Sequence, residues 1–402
     1  MEAISKKQGG GALEYSVINR CRKQKIKEGA IILKSRKLIL ILTIFISFGL
    51  VLAACGGSNN EDKSSGGNDG KKTEENEGST DYSVAMVTDE GGVDDKSFNQ
   101  SSWEGLQAWG EEHGLSKGNG YDYAQSNDES DYLPNLTRLT RDGYNLIFGV
   151  GYLLEDAISK VAEQNPDTNF SIVDTVVEAP NVASITFAEN EGSFLAGVAA
   201  AKKTKTNKLG FVGGMDSDLI TKFEVGFVAG AKSVNPDIEV DIQYVGDFSS
   251  ADDAKLIATR MYGDDRDIIY HAAGAAGNGV FNQAKDMKKN DPNNEIWVIG
   301  VDRDQHEEGK IGEDNVTLTS MVKRVDVSVQ EVSNLGLNGD FPGGEILEFA
   351  LKDDGVYLAD TNEEAYTEEI ASAVDEWKEK IINEEVDVPQ TRKDLEEFEK
   401  SL

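Results

Sequence analysis

From Tyr82 onward the chain repeats one pattern: a short run rich in β-branched residues, a turn containing Gly or Asp, then a longer segment with apolar residues at helical spacing. Continuous apolar runs are what strands buried on both faces look like, and amphipathic segments between them supply the covering helices of parallel βαβ units. The pattern predicts strands at 83–87, 145–150, 169–173, 183–187, 208–212, 239–245, 267–271, 295–301 and 317–321. It places helices at 97–111, 152–164, 193–204, 223–234, 251–262, 280–289 and 325–337. So many strands overfill one doubly wound sheet, so two sheets of similar size are expected. Residues 345–350 and 355–358, parted by Lys352, Asp353 and Asp354, read as a β-hairpin, and 362–402 as helices rich in Glu and Lys.

Upstream of Tyr82 the pattern changes. Residues 1–37 hold ten Lys and Arg against three acids, and Leu38 to Ala54 (LILILTIFISFGLVLAA) carries no charge. Basic residues before an apolar segment and small residues after it form the tripartite plan of a secretory signal. Leu52-Ala53-Ala54-Cys55 resembles a bacterial lipobox, which makes Cys55 the lipidated first residue of the mature protein and 1–54 the signal region. A leader of more than thirty residues ahead of a signal segment is abnormal, and Lys27-Glu28-Gly29 can be encoded by a purine run resembling a ribosome-binding site. Translation is therefore expected to start at Leu33, leaving 1–32 unmade. Residues 55–80, rich in Gly, Ser, Asn, Glu and Lys with nothing apolar to bury, read as a flexible tether.

Charge narrows the function. The chain of 402 residues has 73 acidic and 40 basic side chains, a net charge of −33. Removing the ten bases and three acids of the leader leaves 70 acids and 30 bases on residues 55–402, a net charge of −40. Such a surface repels a phosphate backbone, so a nucleic acid polymer is excluded as a partner. With Cys21 removed and Cys55 lipidated, no thiol remains for catalysis. His113, His271 and His306 are far apart and form no HExxH, which leaves metal hydrolysis and a serine–histidine mechanism without support. No cofactor is expected: Gly274, Gly277 and Gly279 fall in the order GxxGxG, and no Walker lysine follows a Gly-rich loop.

In open α/β sheets ligands bind beyond the carboxyl ends of the strands. That rule points to the loops after the strands, and four segments around them are distinctive: VTDEGGVDDKSFNQSSWEG (87–105), PNVASITFAENEGSFLAG (180–197), LGFVGGMDSDLITKFEVGFVAG (209–230) and VIGVDRDQ (298–305). Together they resemble the basic membrane protein family, lipoproteins that bind substrates for ABC transporters and whose characterised members take purine nucleosides. The resemblance spans about residues 82–352. It implies a type I periplasmic-binding-protein fold, two doubly wound α/β lobes joined by a hinge of three crossing segments. The expected lobes are 81–187 with 324–342, and 188–323 with 343–402.

Carried over by position, the resemblance implies a ligand site of Asp89, Phe98 and Asn99 from the first loop, and Asp174 on the same lobe. From the other lobe come Phe223 as second aromatic wall, with Phe248 as its substitute, and Gly274, Asp302 and Lys323 against the sugar. The chemistry fits independently. Two aromatic faces can sandwich a flat neutral base, and an ionised Asp accepts hydroxyl hydrogen bonds about twice as strong as neutral ones. Asp302 is thus the expected ribose clamp, oriented by Lys323, with Asp89 and Asp174 facing the base edge. An acidic protein also disfavours a phosphorylated ligand, so a nucleoside is preferred to a nucleotide. Each residue has a plainer reading as well: a helix-capping Asp, a core Phe, a surface Lys. The expected function is a monomeric, non-enzymatic receptor, lipid-anchored outside the cell membrane, that hands purine nucleosides to an ABC permease. A receptor for a free sugar, an adhesin-like surface lipoprotein and a nucleoside hydrolase are the alternatives.

Overall fold

The computed structural model describes residues 81–402. The signal region, the start at Leu33, Cys55 and the tether lie outside the described residues. In chain order the strands are β1 (Val84–Val87), β2 (Ser116–Lys117), β3 (Gly120–Ala124), β4 (Leu146–Val150), β5 (Asn169–Val173), β6 (Val182–Phe187), β7 (Lys208–Gly213), β8 (Glu239–Tyr244), β9 (Ile268–Ala272), β10 (Trp297–Asp302), β11 (Lys310–Ile311), β12 (Asp314–Asn315), β13 (Thr317–Lys323), β14 (Ile346–Phe349) and β15 (Val356–Leu358). They build a seven-stranded sheet, β14-β6-β5-β4-β1-β3-β2, a six-stranded sheet, β15-β13-β10-β9-β7-β8, and a small β11-β12 ribbon. Every strand pair of the first sheet is parallel, and in the second only β15 runs antiparallel, against β13. The expected two-sheet α/β architecture is therefore present.

The helices are α1 (Phe98–Glu112), α2 (Tyr132–Asp142), α3 (Glu155–Gln164), α4 (Glu189–Lys203), α5 (Asp218–Val234), α6 (Ala251–Gly263), α7 (Asn278–Asn290), α8 (Val325–Leu337), α9 (Glu368–Ile382) and α10 (Arg392–Glu399). Central strands β1 and β4 are buried along their whole length, which is why they read as unbroken apolar runs; β13 is buried throughout as well but carries Thr317, Thr319, Ser320 and Lys323 among its apolar residues. Helices α4 and α5 cross almost in backbone contact: a Cβ on Gly197 would sit 2.1 Å from the Phe227 carbonyl oxygen, and one on Gly230 1.9 Å from that of Phe194. Only glycine permits that approach. The chain passes between sheets three times, from β6 to α4, from β13 to α8 (which packs on α1), and from β14 to β15.

Two expectations are corrected. Residues 345–350 and 355–358 do not form a hairpin: β14 pairs in parallel with β6 in the first sheet, whereas β15 pairs antiparallel with β13 in the second. Residues 346–349 thus extend the first sheet rather than the second, against the expected lobe boundary at 342. A short polar loop between two β runs looks like a hairpin locally; here it is a crossing segment, and only the sheets it joins reveal that. The second correction concerns Phe223, expected to open its helix. The helix begins at Asp218, with the Ser217 hydroxyl accepting from the Ile220 N–H at 3.3 Å as the cap, so Phe223 lies in its second turn. Strand β3 and helix α2 were absent from the sequence reading. In β3 alternate Tyr and Asp give a half-buried strand, and α2 carries Pro134 in its first turn, where a missing N–H costs nothing.

Candidate ligand-binding site

A cleft with about 520 Å³ of empty space, part of it open to solvent, lies where the carboxyl ends of the two sheets face each other. Asp89 and Asp174 follow β1 and β5 of the first sheet; Asp302 and Lys323 end β10 and β13 of the second. All eight residues expected at the site line this one cavity: Asp89, Phe98, Asn99 and Asp174 from one side, Phe223, Gly274, Asp302 and Lys323 from the other. Phe248, the substitute for Phe223, lines it too, so both rings are present. Asp174 and Asp302 leave their strands in the left-handed region, at φ 73° and 66°. Asp tolerates that conformation better than most residues, and the turn ends each strand at the cavity wall. Gly151 has φ 113°, and a Cβ there would lie 3.3 Å from Asp89 Oδ2 and 3.5 Å from the Phe98 ring, filling cavity space.

The first loop is organised by two carboxylates. Asp95 accepts from the backbone N–H groups of Ser97, Asn99 and Gln100 at 2.8, 2.8 and 3.0 Å, capping α1. The Asn99 side-chain amide donates to Asp89 Oδ1 at 2.6 Å and to Asp95 Oδ2 at 3.0 Å, which fixes its orientation. Asp89 Oδ1 also accepts from the Gly91 N–H at 3.0 Å. These bonds hold Phe98, the first residue of α1, at the cavity.

Lys323 is the cation of the site and is 2% exposed. Its Nζ donates to Asp174 Oδ2 at 2.6 Å and lies 3.9 Å from both Asp302 Oδ1 and Glu189 Oε1. It also sits 4.7 Å from the centre of the Phe98 ring and 5.6 Å from that of Phe223. Burial works against the charged ammonium, but Asp174, Asp302 and Glu189 outweigh it and hold its pKa above the usual value. Burial pushes Asp302 up to about 6, against the pull of Lys323 and the Ser97 hydroxyl. Burial likewise pushes Asp89 and Asp95 to about 6 each. One oxygen of Asp174, Oδ1, is buried without a hydrogen-bond partner. A buried carboxylate oxygen left unpaired is costly, and here it lies on the cavity.

The two sides also touch. Ser97 Oγ donates to Asp302 Oδ2 at 2.5 Å, Asn278 Nδ2 to the Asp95 carbonyl at 3.0 Å, and Gln305 Nε2 to the Lys96 carbonyl at 2.8 Å. At the rim Arg303 donates to both Glu104 oxygens, at 2.8 and 3.1 Å. Gln305 Oε1 meanwhile accepts from the Val301 N–H at 2.9 Å and sits 3.0 Å from His271 Nε2. Burial lowers the His271 pKa to about 4, so the ring is neutral and serves as a fixed brace. Ser97, Asn278, Gln305, His271 and Glu189 were missed as site residues. Ser97 and Gln305 stand inside the distinctive segments, but nothing in a linear sequence shows that they meet across a cleft. Among the described residues no group of three or more His, Cys, Asp and Glu is arranged to hold a metal ion.

Two α/β lobes, three crossings and a cavity between strand ends are the architecture of the periplasmic-type solute-binding proteins. The chain belongs to the Bmp family, the PnrA-like substrate-binding proteins of ABC transporters, whose model matches residues 82–392. It is 51% identical over 318 residues to the ABC transporter nucleoside-binding protein BmpA of Lactococcus lactis, covering 77% of this chain and 90% of that one. It is 48% identical over 365 residues to the CD4+ T-cell-stimulating antigen of Listeria innocua, covering 89% and 99%. A solved ABC transporter solute-binding protein from Aeropyrum pernix superposes with a TM-score of 0.70 at 26% identity, over 80% of this chain and 98% of that one. The resemblance read from the four segments is borne out, and with it the role of substrate binding for an ABC transporter.

Proposed function

We propose that the protein captures purine nucleosides between its lobes and delivers them to an ABC permease, without catalysing a reaction. Capture is by the open form, and closure of the lobes on the ligand creates the surface the permease reads. The observation that carries the reading is the composition of the cavity. Aromatic rings at Phe98, Phe223 and Phe248 share it with buried carboxylates and one ammonium. Rings suit a flat base, and Asp302 and the unpaired Asp174 Oδ1 suit ribose hydroxyls or base N–H groups, all of them donors. Asp89, Asp95, Asp174 and Asp302 face a single lysine, an excess of negative charge that disfavours a phosphate and so prefers nucleoside to nucleotide. A relative at 51% identity bears the name of a nucleoside-binding protein, which supports the same ligand class.

Lipidation at Cys55, with residues 56–80 as the tether, would hold this monomeric receptor on the outer face of the cell membrane. Among residues 81–402 no helix is long and apolar enough to cross a membrane. The decisive measurement is calorimetry of the purified protein, stripped of ligand, with inosine, guanosine, adenosine, free ribose and a nucleoside monophosphate. Binding of at least one nucleoside well above ribose and the monophosphate is expected. Tighter binding of ribose would move the protein to the free-sugar class, release of free base would make it a hydrolase, and binding of none would leave a surface interaction protein.

A further inference from the structure

Three aromatic rings cage the Lys323 ammonium: Phe98 at 4.7 Å, Phe187 at 5.3 Å and Phe223 at 5.6 Å from ring centre to Nζ. Such a cage attracts a cation but gives it little direction, so the carboxylates decide where it sits. Asp174 makes the contact, while Asp302 and Glu189 stand back at the same 3.9 Å. At equal separation their pulls are about equal. They differ in one respect: Asp302 lines the cavity and Glu189 does not.

Glu189 is the first residue of the crossing helix α4 and is completely buried. Its Oε2 takes Lys222 of α5 at 3.2 Å, while Oε1 is buried with no hydrogen-bond partner. Burying an acid with one oxygen unpaired costs stability, and no contact with the cavity accounts for it. The charged groups around it are Lys222 from α5, Lys323 from β13 and Asp174 from the end of β5.

We propose that Glu189 is a positioning residue of the binding site: its carboxylate draws the Lys323 ammonium back from Asp302 and so leaves Asp302 Oδ1 free to accept a ligand hydroxyl. The inference rests on reading the cavity as a nucleoside site. Without the Glu189 charge, Lys323 is pulled only toward Asp174 and Asp302 and closes an ion pair that a ligand must then break. The alternative is that Glu189 only ties α4 to α5.

The test has a binding arm and a structural arm. In calorimetry with inosine and guanosine, Glu189→Gln should weaken binding at least tenfold. In a Lys323→Met background it should cause no further loss, because its effect passes through Lys323. Losses that add, or a Glu189→Gln affinity within twofold of the wild type, overturn the proposal. In a crystal structure of the ligand-free variant, the Lys323 Nζ to Asp302 Oδ1 separation should close to about 2.8 Å, a charge-assisted hydrogen bond; an unchanged separation overturns it. A wild-type protein that binds no nucleoside overturns the functional reading instead, while the structural arm still decides the positioning. Should Glu189→Gln fail to fold, Lys222→Met replaces it. Burial already pushes the Glu189 acid up, and Lys222 is the foremost group opposing that rise, so removing the cation favours the neutral acid and affinity should fall below the wild type. An affinity within twofold of the wild type overturns the proposal.

Discussion

Replacing Asp302 with Asn should weaken ligand binding and stabilise the empty protein at once. Asp302 is buried, accepts from Ser97 Oγ through Oδ2 and turns Oδ1 toward Lys323 at 3.9 Å. Its pKa is pushed from 3.8 to about 6 by burial, beyond what Lys323 and Ser97 recover. A rise of roughly two units, at 1.36 kcal/mol each, means that keeping Asp302 ionised at pH 7 costs the folded state about 3 kcal/mol. Asn keeps the shape and an acceptor without the charge. That cost is already net of the attraction to Lys323 and Ser97, so a gain of up to about 3 kcal/mol is expected, or a few degrees in melting temperature. Binding moves the other way. A hydrogen bond to a charged group contributes about 1.5–3 kcal/mol, so the dissociation constant should rise by about 10- to 150-fold. The assay is a thermal melt of empty protein beside calorimetry with the best nucleoside. Unchanged affinity would remove Asp302 from the ligand, and a melting temperature lowered by several degrees would show it to be a structural residue.

Other outcomes can be stated briefly. Phe98→Ala should cost about 1–3 kcal/mol of binding through lost base stacking, measured by calorimetry; a loss within error would make Phe98 a core residue only. Asp89, Asp95 and Asp302 all have pKa values raised to about 6. A raised carboxylate pKa means the folded state holds its proton longer than the unfolded state, so stability should fall as pH rises from 4 to 6 and then level off. Ligand affinity should run in the opposite sense, since Asp302 accepts best when ionised: about tenfold weaker at pH 5 than at pH 7.5 if that one group governs. Flat affinity over that range would contradict it. Gly230→Ala would put a Cβ 1.9 Å from the Phe194 carbonyl oxygen, and separating α4 from α5 should cost about 1–3 kcal/mol in urea unfolding.

Helix α8, at Val325–Leu337, coincides with its expected bounds, and the nine expected strands are all present with ends shifted by at most two residues. The signal is strongest in β1 and β4, where both faces of a central parallel strand are buried and burial imposes an unbroken apolar run on the sequence itself. Strand β3 escaped because its alternating Tyr and Asp belong to a half-buried position near the sheet edge. Residues 345–358 were misread for a different reason. Local sequence fixes that a segment is extended, but not which of two sheets supplies its partner.

The residues proposed to bind the ligand divide the same way. The strand-end rule points to the loops that carry Asp89, Asp174 and Asp302, and the resemblance of the surrounding segments points to the residues themselves. Glu189, Ser97 and Gln305 could not be found this way. Each acts through a partner more than a hundred residues away: Glu189 toward Lys323, Ser97 toward Asp302 and Gln305 toward Lys96. The sequence by itself therefore determined most of the strands and helices, and the carboxylates and rings available to a ligand. Only the tertiary structure decided that these groups face one another around one buried lysine. Periodicity records what each residue buries, whereas a distance between two strand ends is set by how the sheets pack.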